Sequence, residues 1–192
     1  MVITKTPFRV SLCGGGSDLP AFYEKNGGCV ISTTIKKYMY ITSHPSFDKK
    51  QTVLKYSKTE TVHDINDIEH PIFRECLKQE GLEGYEITSI ADVPQGTGLG
   101  SSSAFTVGLI KNLKCQKREY ISDEEVAQAA CHMEIDVLKN PIGTNGTIKM
   151  LAYFKKGVYL EKNINQIIEL IEGNLEKPEK EDIELLWKTN AK

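Results

Sequence analysis

The sequence predicts an α+β fold: a sheet that begins at the N-terminus, and helices that pack on it. Strand character comes first, because residues 2–12 and 29–42 carry β-branched and aromatic residues in alternation. Helical periodicity follows at 65–79, 105–113 and 122–139, with a strand-like run at 85–90. A glycine-rich loop joins that last run to the next helix, so strand, loop and helix succeed one another along the chain.

After the strand at 2–12 comes the cluster Gly14-Gly15-Gly16-Ser17, then a short helical turn at Pro20-Ala21-Phe22-Tyr23 and the strand at 29–42. Residues 53–57 read as a strand and 65–79 as a helix with Ile68, Ile72, Phe73, Cys76 and Leu77 on one face. In the helix after the loop, Phe105, Leu109 and Leu113 recur at i, i+4 with Val107 and Ile110 nearby, a face suited to packing on the sheet. Ser122-Asp123-Glu124-Glu125 opens the next helix with a capping box. That helix runs to about Lys139 on a stripe of Val126, Ala130, Met133 and Val137, and Pro141 stops it. Ile167, Ile168 and Ile171 make 164–174 amphipathic, and the Glu/Lys-rich 177–192 reads as a solvated helical end. One main domain at 1–155 with a short helical extension at 156–192 is the simplest division, since breaks are confined to Lys155-Lys156-Gly157 and Glu176-Lys177-Pro178-Glu179.

Composition narrows the function. With 40% hydrophobic and 26% charged residues, a 192-residue chain can bury a proper core. A net charge of −2 supplies no basic field for nucleic acid or anionic lipid, and no run approaches the length of a membrane span, so a cytoplasmic protein is expected. Cys13, Cys29, Cys76, Cys115 and Cys131 are odd in number and lack a C-x-x-C pair, which suits a reducing compartment; they read as buried small hydrophobes. His44, His63, His70 and His132 show no metal-ligand spacing.

The most informative stretch is Pro94-Gln95-Gly96-Thr97-Gly98-Leu99-Gly100-Ser101-Ser102-Ser103-Ala104. Alternate glycines allow positive φ and close approach of the main chain, and the first amides of the helix that follows point free N–H groups outward. That is an anion cradle, and a polyphosphate is its natural guest. A Walker loop would require Gly-Lys-Ser/Thr, yet no lysine follows Gly100 before Lys111. A dinucleotide fingerprint would require glycine where Ser101 stands.

Pro-x-Gly-x-Gly-Leu-Gly-Ser-Ser-Ser-Ala resembles the phosphate loop of the GHMP kinases, the galactokinase, homoserine, mevalonate and phosphomevalonate kinase superfamily. Thr6-Pro7-Phe8-Arg9-Val10-Ser11-Leu12-Cys13-Gly14-Gly15-Gly16-Ser17-Asp18 and His132-Met133-Glu134 are similar to the D-glycero-D-manno-heptose 7-phosphate kinases within it. The resemblance implies a ribosomal protein S5 domain 2-like fold, a mixed sheet backed by helices. It also implies ATP-dependent phosphorylation of a sugar phosphate, a heptose 7-phosphate at its anomeric hydroxyl, with ATP and Mg2+ as cofactors. On that resemblance Pro94, Gly96, Thr97, Gly98, Leu99, Gly100, Ser101, Ser102 and Ser103 bind the ATP phosphates, Ser102 and Glu134 hold Mg2+, and Arg9 lies by the transferred phosphate. Gly15, Gly16, Ser17 and Asp18 would bind the sugar, and Asp18 is nearly as well suited to N-cap a helix at Leu19-Pro20-Ala21, a role that can coexist with the first. From the residues alone, Glu134 falls about 80° around the helix from Val126, beside apolar neighbours; an ordinary solvated glutamate is the alternative.

Two departures stand beside these matches. Where the family carries Pro-x-Gly-x-x-Asp, with the aspartate as presumed base, this chain reads Pro141-Ile142-Gly143-Thr144-Asn145-Gly146. The family's C-terminal domain with its further glycine loop is also not found here. A nucleotide- or sugar-binding module without turnover is therefore the alternative to the kinase, and an oligomer or a second chain would supply the other half of the cleft. Phosphoryl transfer is mainly positioning and charge stabilisation, so loss of the base does not by itself abolish it.

Overall fold

Val2–Cys13 (β1) and Ile31–Pro45 (β2) pair antiparallel in the computed structural model, which describes residues 1–13, 25, 31–139 and 158–160. There follow β3 (Thr52–Lys55), β4 (Thr59–Val62), a 3-10 turn (Ile65–Asp67), α1 (Pro71–Glu80) and β5 (Tyr85–Ala91). Next come α2 (Ser101–Gln116), α3 (Asp123–Cys131), a π-helical turn (His132–Val137) and β6 (Val158–Leu160). The sheet runs in the order β1-β2-β5-β3-β4, with β6 added to β2. Among the described residues only the β3–β5 pairing is parallel, so the sheet is mixed.

The two-residue side-chain period of the strands sorts them by face. Thr4, Thr6 and Phe8 of β1, Met39, Ile41 and Ser43 of β2 and Ile87 of β5 are buried, whereas Ile3 and Ile90 are exposed. α2 packs on β1 and β2 and is the most buried helix among the described residues, with Ala104, Val107, Leu109 and Leu113 in the core. Polar pins set its depth: Thr4 Oγ1 donates to the Gly108 carbonyl at 2.9 Å, Asn112 Nδ2 to that of Ile41 at 2.9 Å, and Gln116 Nε2 to that of Ser43 at 2.8 Å. Gly108 makes this approach possible. A Cβ there would stand 2.9 Å from Thr6 Oγ1 and 3.3 Å from Ile41 Cγ1, so Gly108→Ala is expected to lower stability by about 1–3 kcal/mol despite alanine's better helix propensity. Chemical denaturation of the two chains measures it; an unchanged midpoint would mean that the helix is not held so close.

Three expectations need correction. The helix expected over 65–79 is divided: Asp64 caps a 3-10 turn, His70 is extended, and α1 starts with Pro71 at its first turn. A proline has no N–H for the ladder and restricts the residue before it, so the helix cannot run through. The helix expected to reach Lys139 changes to a π turn at His132, and Lys139 itself takes φ 54°. Cys115 is exposed rather than buried, while Cys76 is buried among apolar neighbours that push its thiol pKa up. β4, a four-residue hairpin partner of β3, is too short to show a period in the sequence.

Gly14 to Asp18, the turn at 20–23, Cys29, the element Pro141 to Gly146 and the helices expected at 164–174 and 177–192 lie outside the described residues. β6 falls within the stretch assigned to the helical extension and pairs with residues Ile31 to Thr33. Among the described residues no helix is long and apolar enough to cross a membrane.

Candidate functional site

The loop from β5 to α2 adopts the backbone that its glycines permit: Gly96, Gly98 and Gly100 have φ of 80°, 71° and 76°. A Cβ on Gly96 or Gly98 would meet nothing, so glycine is required there by φ rather than by space. Gly100 is the N-cap of α2 and offers no side chain, so the first-turn amides of Ser101, Ser102 and Ser103 lack a side-chain cap. Thr97 Oγ1 donates to the Pro94 carbonyl at 3.2 Å and closes the turn.

Arg9 shapes this loop from β1. Its backbone N–H donates to the Leu99 carbonyl at 3.2 Å and its guanidinium to the Gly98 carbonyl at 2.8 Å. In a trans peptide the N–H points opposite to the C=O, so drawing these two carbonyls toward Arg9 turns the amides of Leu99 and Gly100 the other way. The side chain also lies 3.5 Å from where a Cβ of Gly100 would be. Arg9, which the resemblance puts by the transferred phosphate, here braces the loop.

Glu134 comes to α2 from the π-helical turn. The wider turn lets Met133 and Glu134 both face inward, at 0% and 1% exposure. Its carboxylate accepts from Thr106 Oγ1 at 2.8 Å and from Ser103 Oγ at 3.3 Å. Ser102, the hydroxyl paired with Glu134 in the sequence reading, is exposed and lines a cleft, while its neighbour Ser103 is the one that bonds the carboxylate. Burial raises the pKa of Glu134 above the ordinary carboxylate value, and the two hydroxyls pull it part of the way back. A buried carboxylate partnered by hydroxyls has charge to spare for a cation. Among the described residues no three His, Cys, Asp or Glu side chains gather to chelate one, so an ion here would complete its shell with hydroxyls, phosphate oxygens and water.

Beside the helix mouth opens a cleft of about 450 Å³. Tyr56, His70, Ile72 and Phe105 form its apolar wall, and Ser57, Ser89, Gln95, Ser101 and Ser102 its polar groups. The rings make a cluster: His70 lies with its centroid 4.9 Å from Tyr56 and 5.2 Å from both Phe73 and Phe105. No periodicity could have announced this wall, because its members come from the β3–β4 turn, the start of α1 and the second turn of α2.

His70 is also the N-cap of α1, its Nδ1 accepting from Phe73 N–H at 3.5 Å. An accepting Nδ1 must be unprotonated, and burial lowers the pKa of His70, opposed mainly by the Glu60 carboxylate. The unfolded chain therefore binds the proton first as pH falls, and stability is lost from the ordinary histidine pKa downward. Between pH 7.5 and 5.5 the melting temperature of wild type is expected to fall further than that of His70→Asn, which keeps a capping acceptor; parallel curves would refute this.

Residues 68–148 match the family model of the GHMP kinases N terminal domain. Among curated proteins the chain is 29% identical over 143 residues to D-glycero-alpha-D-manno-heptose 7-phosphate kinase of Campylobacter jejuni, an alignment covering 68% of this chain and 42% of that protein. Among solved structures it resembles "a D-glycero-D-manno-heptose 1-phosphate kinase from Bacteriodes thetaiotaomicron", with TM-score 0.68 and 22% identity over 79% of this chain and 53% of the other. It also resembles the Streptococcus pneumoniae phosphomevalonate kinase in complex with phosphomevalonate and AMPPNP, with TM-score 0.65 and 15% identity over 91% and 54%. At these identities the structural likeness speaks for the fold. The chain spans less than half the length of the curated relative and about half that of the solved structures.

Proposed function

We propose that the chain, whose residues 68–148 match the GHMP kinases N terminal domain, is a kinase of that family and serves ATP-dependent phosphorylation of a sugar phosphate. The substrate in this reading is D-glycero-D-manno-heptose 7-phosphate, phosphorylated at its anomeric hydroxyl in the cytoplasm for nucleotide-heptose synthesis. The observation that carries the proposal is the uncapped mouth of α2 beside a cleft of about 450 Å³ with one wall of aromatic rings. Such a place suits a nucleotide, with its polyphosphate at the amides and its base against the rings. The backbone of Pro94, Gly96, Thr97, Gly98, Leu99, Gly100 and Ser101 to Ser103 would take the β- and γ-phosphates. Glu134, with the hydroxyls of Ser102 and Ser103, would hold Mg2+, which when bound neutralises phosphate charge. Arg9 would stabilise the moving charge, and Gly15, Gly16, Ser17 and Asp18 would bind the sugar.

A second reading, a nucleotide- or sugar-binding module without turnover, is favoured by Gly146 at the position where the family has its aspartate. Magnesium-dependent ATP consumption with heptose 7-phosphate decides between them, run beside Gly146→Asp and Ser102→Ala. Turnover that Ser102→Ala removes supports the kinase. ADP that raises the melting temperature while no product forms supports the module, and an absence of both removes the nucleotide reading.

A further inference from the structure

Thr106 stands outside the glycine-serine loop motif, yet it is wholly buried and ties that loop to Glu134. Its Oγ1 is 2.8 Å from Glu134 Oε1 and 3.0 Å from the carbonyl oxygen of Ser102. A hydroxyl has one proton to donate, so it serves one of these acceptors at a time. The Ser102 carbonyl is already provided for by the backbone N–H of Thr106 in the i→i−4 ladder of α2. Glu134 otherwise has only Ser103 Oγ at 3.3 Å, and an ionised acceptor holds a hydroxyl more strongly than a neutral carbonyl does. The proton therefore goes to the carboxylate. A threonine in a helix has two main χ1 choices, and the one taken here sets Oγ1 between the Ser102 carbonyl and Glu134 Oε1.

We infer that Thr106 is a positioning residue that aims the Glu134 carboxylate beside the first turn of α2, and so sets how tightly a divalent cation binds with the nucleotide phosphates. This rests on the reading of Glu134 given under the proposed function. Ser103 and Thr106 grip the two carboxylate oxygens separately, Oε2 and Oε1, so with both in place the group cannot swing about its own axis. With Thr106 Oγ1 removed, Oε1 keeps no partner among the described residues and the carboxylate loses its fixed plane.

The test is calorimetric titration of the full chain with ADP, first in EDTA and then in Mg2+, for wild type, Thr106→Val and Thr106→Ser, each also combined with Glu134→Gln. The expected result is an unchanged ADP affinity in EDTA and a loss of about 10–100-fold in the Mg2+-dependent gain for Thr106→Val. Thr106→Ser should restore most of it, and in the Glu134→Gln background the valine should change nothing more. Should the valine chain not fold, as judged by its melting curve, Thr106→Ala replaces it in the same comparison. A full Mg2+ gain in Thr106→Val overturns the inference, as does an equal loss in the serine and valine chains, which would mean packing alone. Wild type that binds ADP with no Mg2+ gain overturns it while leaving the nucleotide site intact; wild type that binds no ADP removes both.

Discussion

Among the described glycines, Gly84→Ala should be the most damaging added methyl. A Cβ on Gly84 would lie 2.2 Å from the carbonyl oxygen of Lys49 and 3.0 Å from its carbonyl carbon, both backbone atoms that cannot rotate aside. The residue also sits at φ 71°, where a side chain costs about 1–2 kcal/mol on its own. Nor can the turn drift away, because the Gly84 carbonyl accepts from Ser46 N–H at 2.8 Å and its N–H donates to Thr52 Oγ1 at 3.0 Å. Relief would break the bonds that join the α1–β5 turn to Ser46 after β2 and to Thr52 at the start of β3. The expected loss exceeds about 4 kcal/mol, within reach of a typical domain's whole stability, so the melting temperature should drop by about 8–16 °C or the chain should fail to fold. Gly96→Ala is the control, with φ 80° but open space at its Cβ, and it should cost only the conformational part. A Gly84→Ala chain that melts with wild type would show that this turn is not the one described.

Glu134→Gln is expected to raise stability and, on the proposed reading, to weaken magnesium-dependent turnover. At neutral pH the fold holds a buried carboxylate whose pKa is raised by burial. A group whose folded pKa lies above its unfolded value favours the native state only while protonated, so stability declines as pH rises through the carboxylate range. Glutamine has the same shape, accepts from Thr106 through its oxygen, can donate to Ser103 through its amide and carries no charge. The melting temperature of the variant should therefore equal that of wild type near pH 4 and exceed it at pH 8, by about 2–4 °C for each kcal/mol relieved. On the proposed reading, in which Glu134 holds Mg2+, magnesium-dependent turnover should fall at least about 10–100-fold, the scale on which even a ligand's supporting partners matter to metal binding. Melting curves across pH and a coupled ATP assay measure the two effects. Destabilisation at pH 8 would mean that the carboxylate has a cationic partner in the folded chain, and unchanged turnover would take Glu134 out of the site.

The parts of the site legible in the sequence were those whose cause is local. Positive φ at Gly96, Gly98 and Gly100, the helix opening at Ser101, and the capping box in which Ser122 and Glu125 satisfy each other's backbone all follow from neighbours within a few positions. The break at Pro71 was local too: a proline inside an apolar period ends the helix before it, and the shared burial of Ile65, Ile68 and Ile72 masked that signal.

By itself, then, the amino-acid order determined the alternation that makes β1 and β2, the glycine loop, the helix it opens and the carboxylate carried after α3. Each of these depends on backbone preference or on a period along one element. Only the tertiary structure decided which hydroxyl meets Glu134, since Ser103 and Thr106 lie 31 and 28 residues from it and meet it where the π turn packs against α2. The same holds for the ring wall of Tyr56, His70 and Phe105, and for the depth of α2 on the sheet at Gly108. Contacts of that kind arise from how closely two faces approach, and no spacing along the chain records that distance.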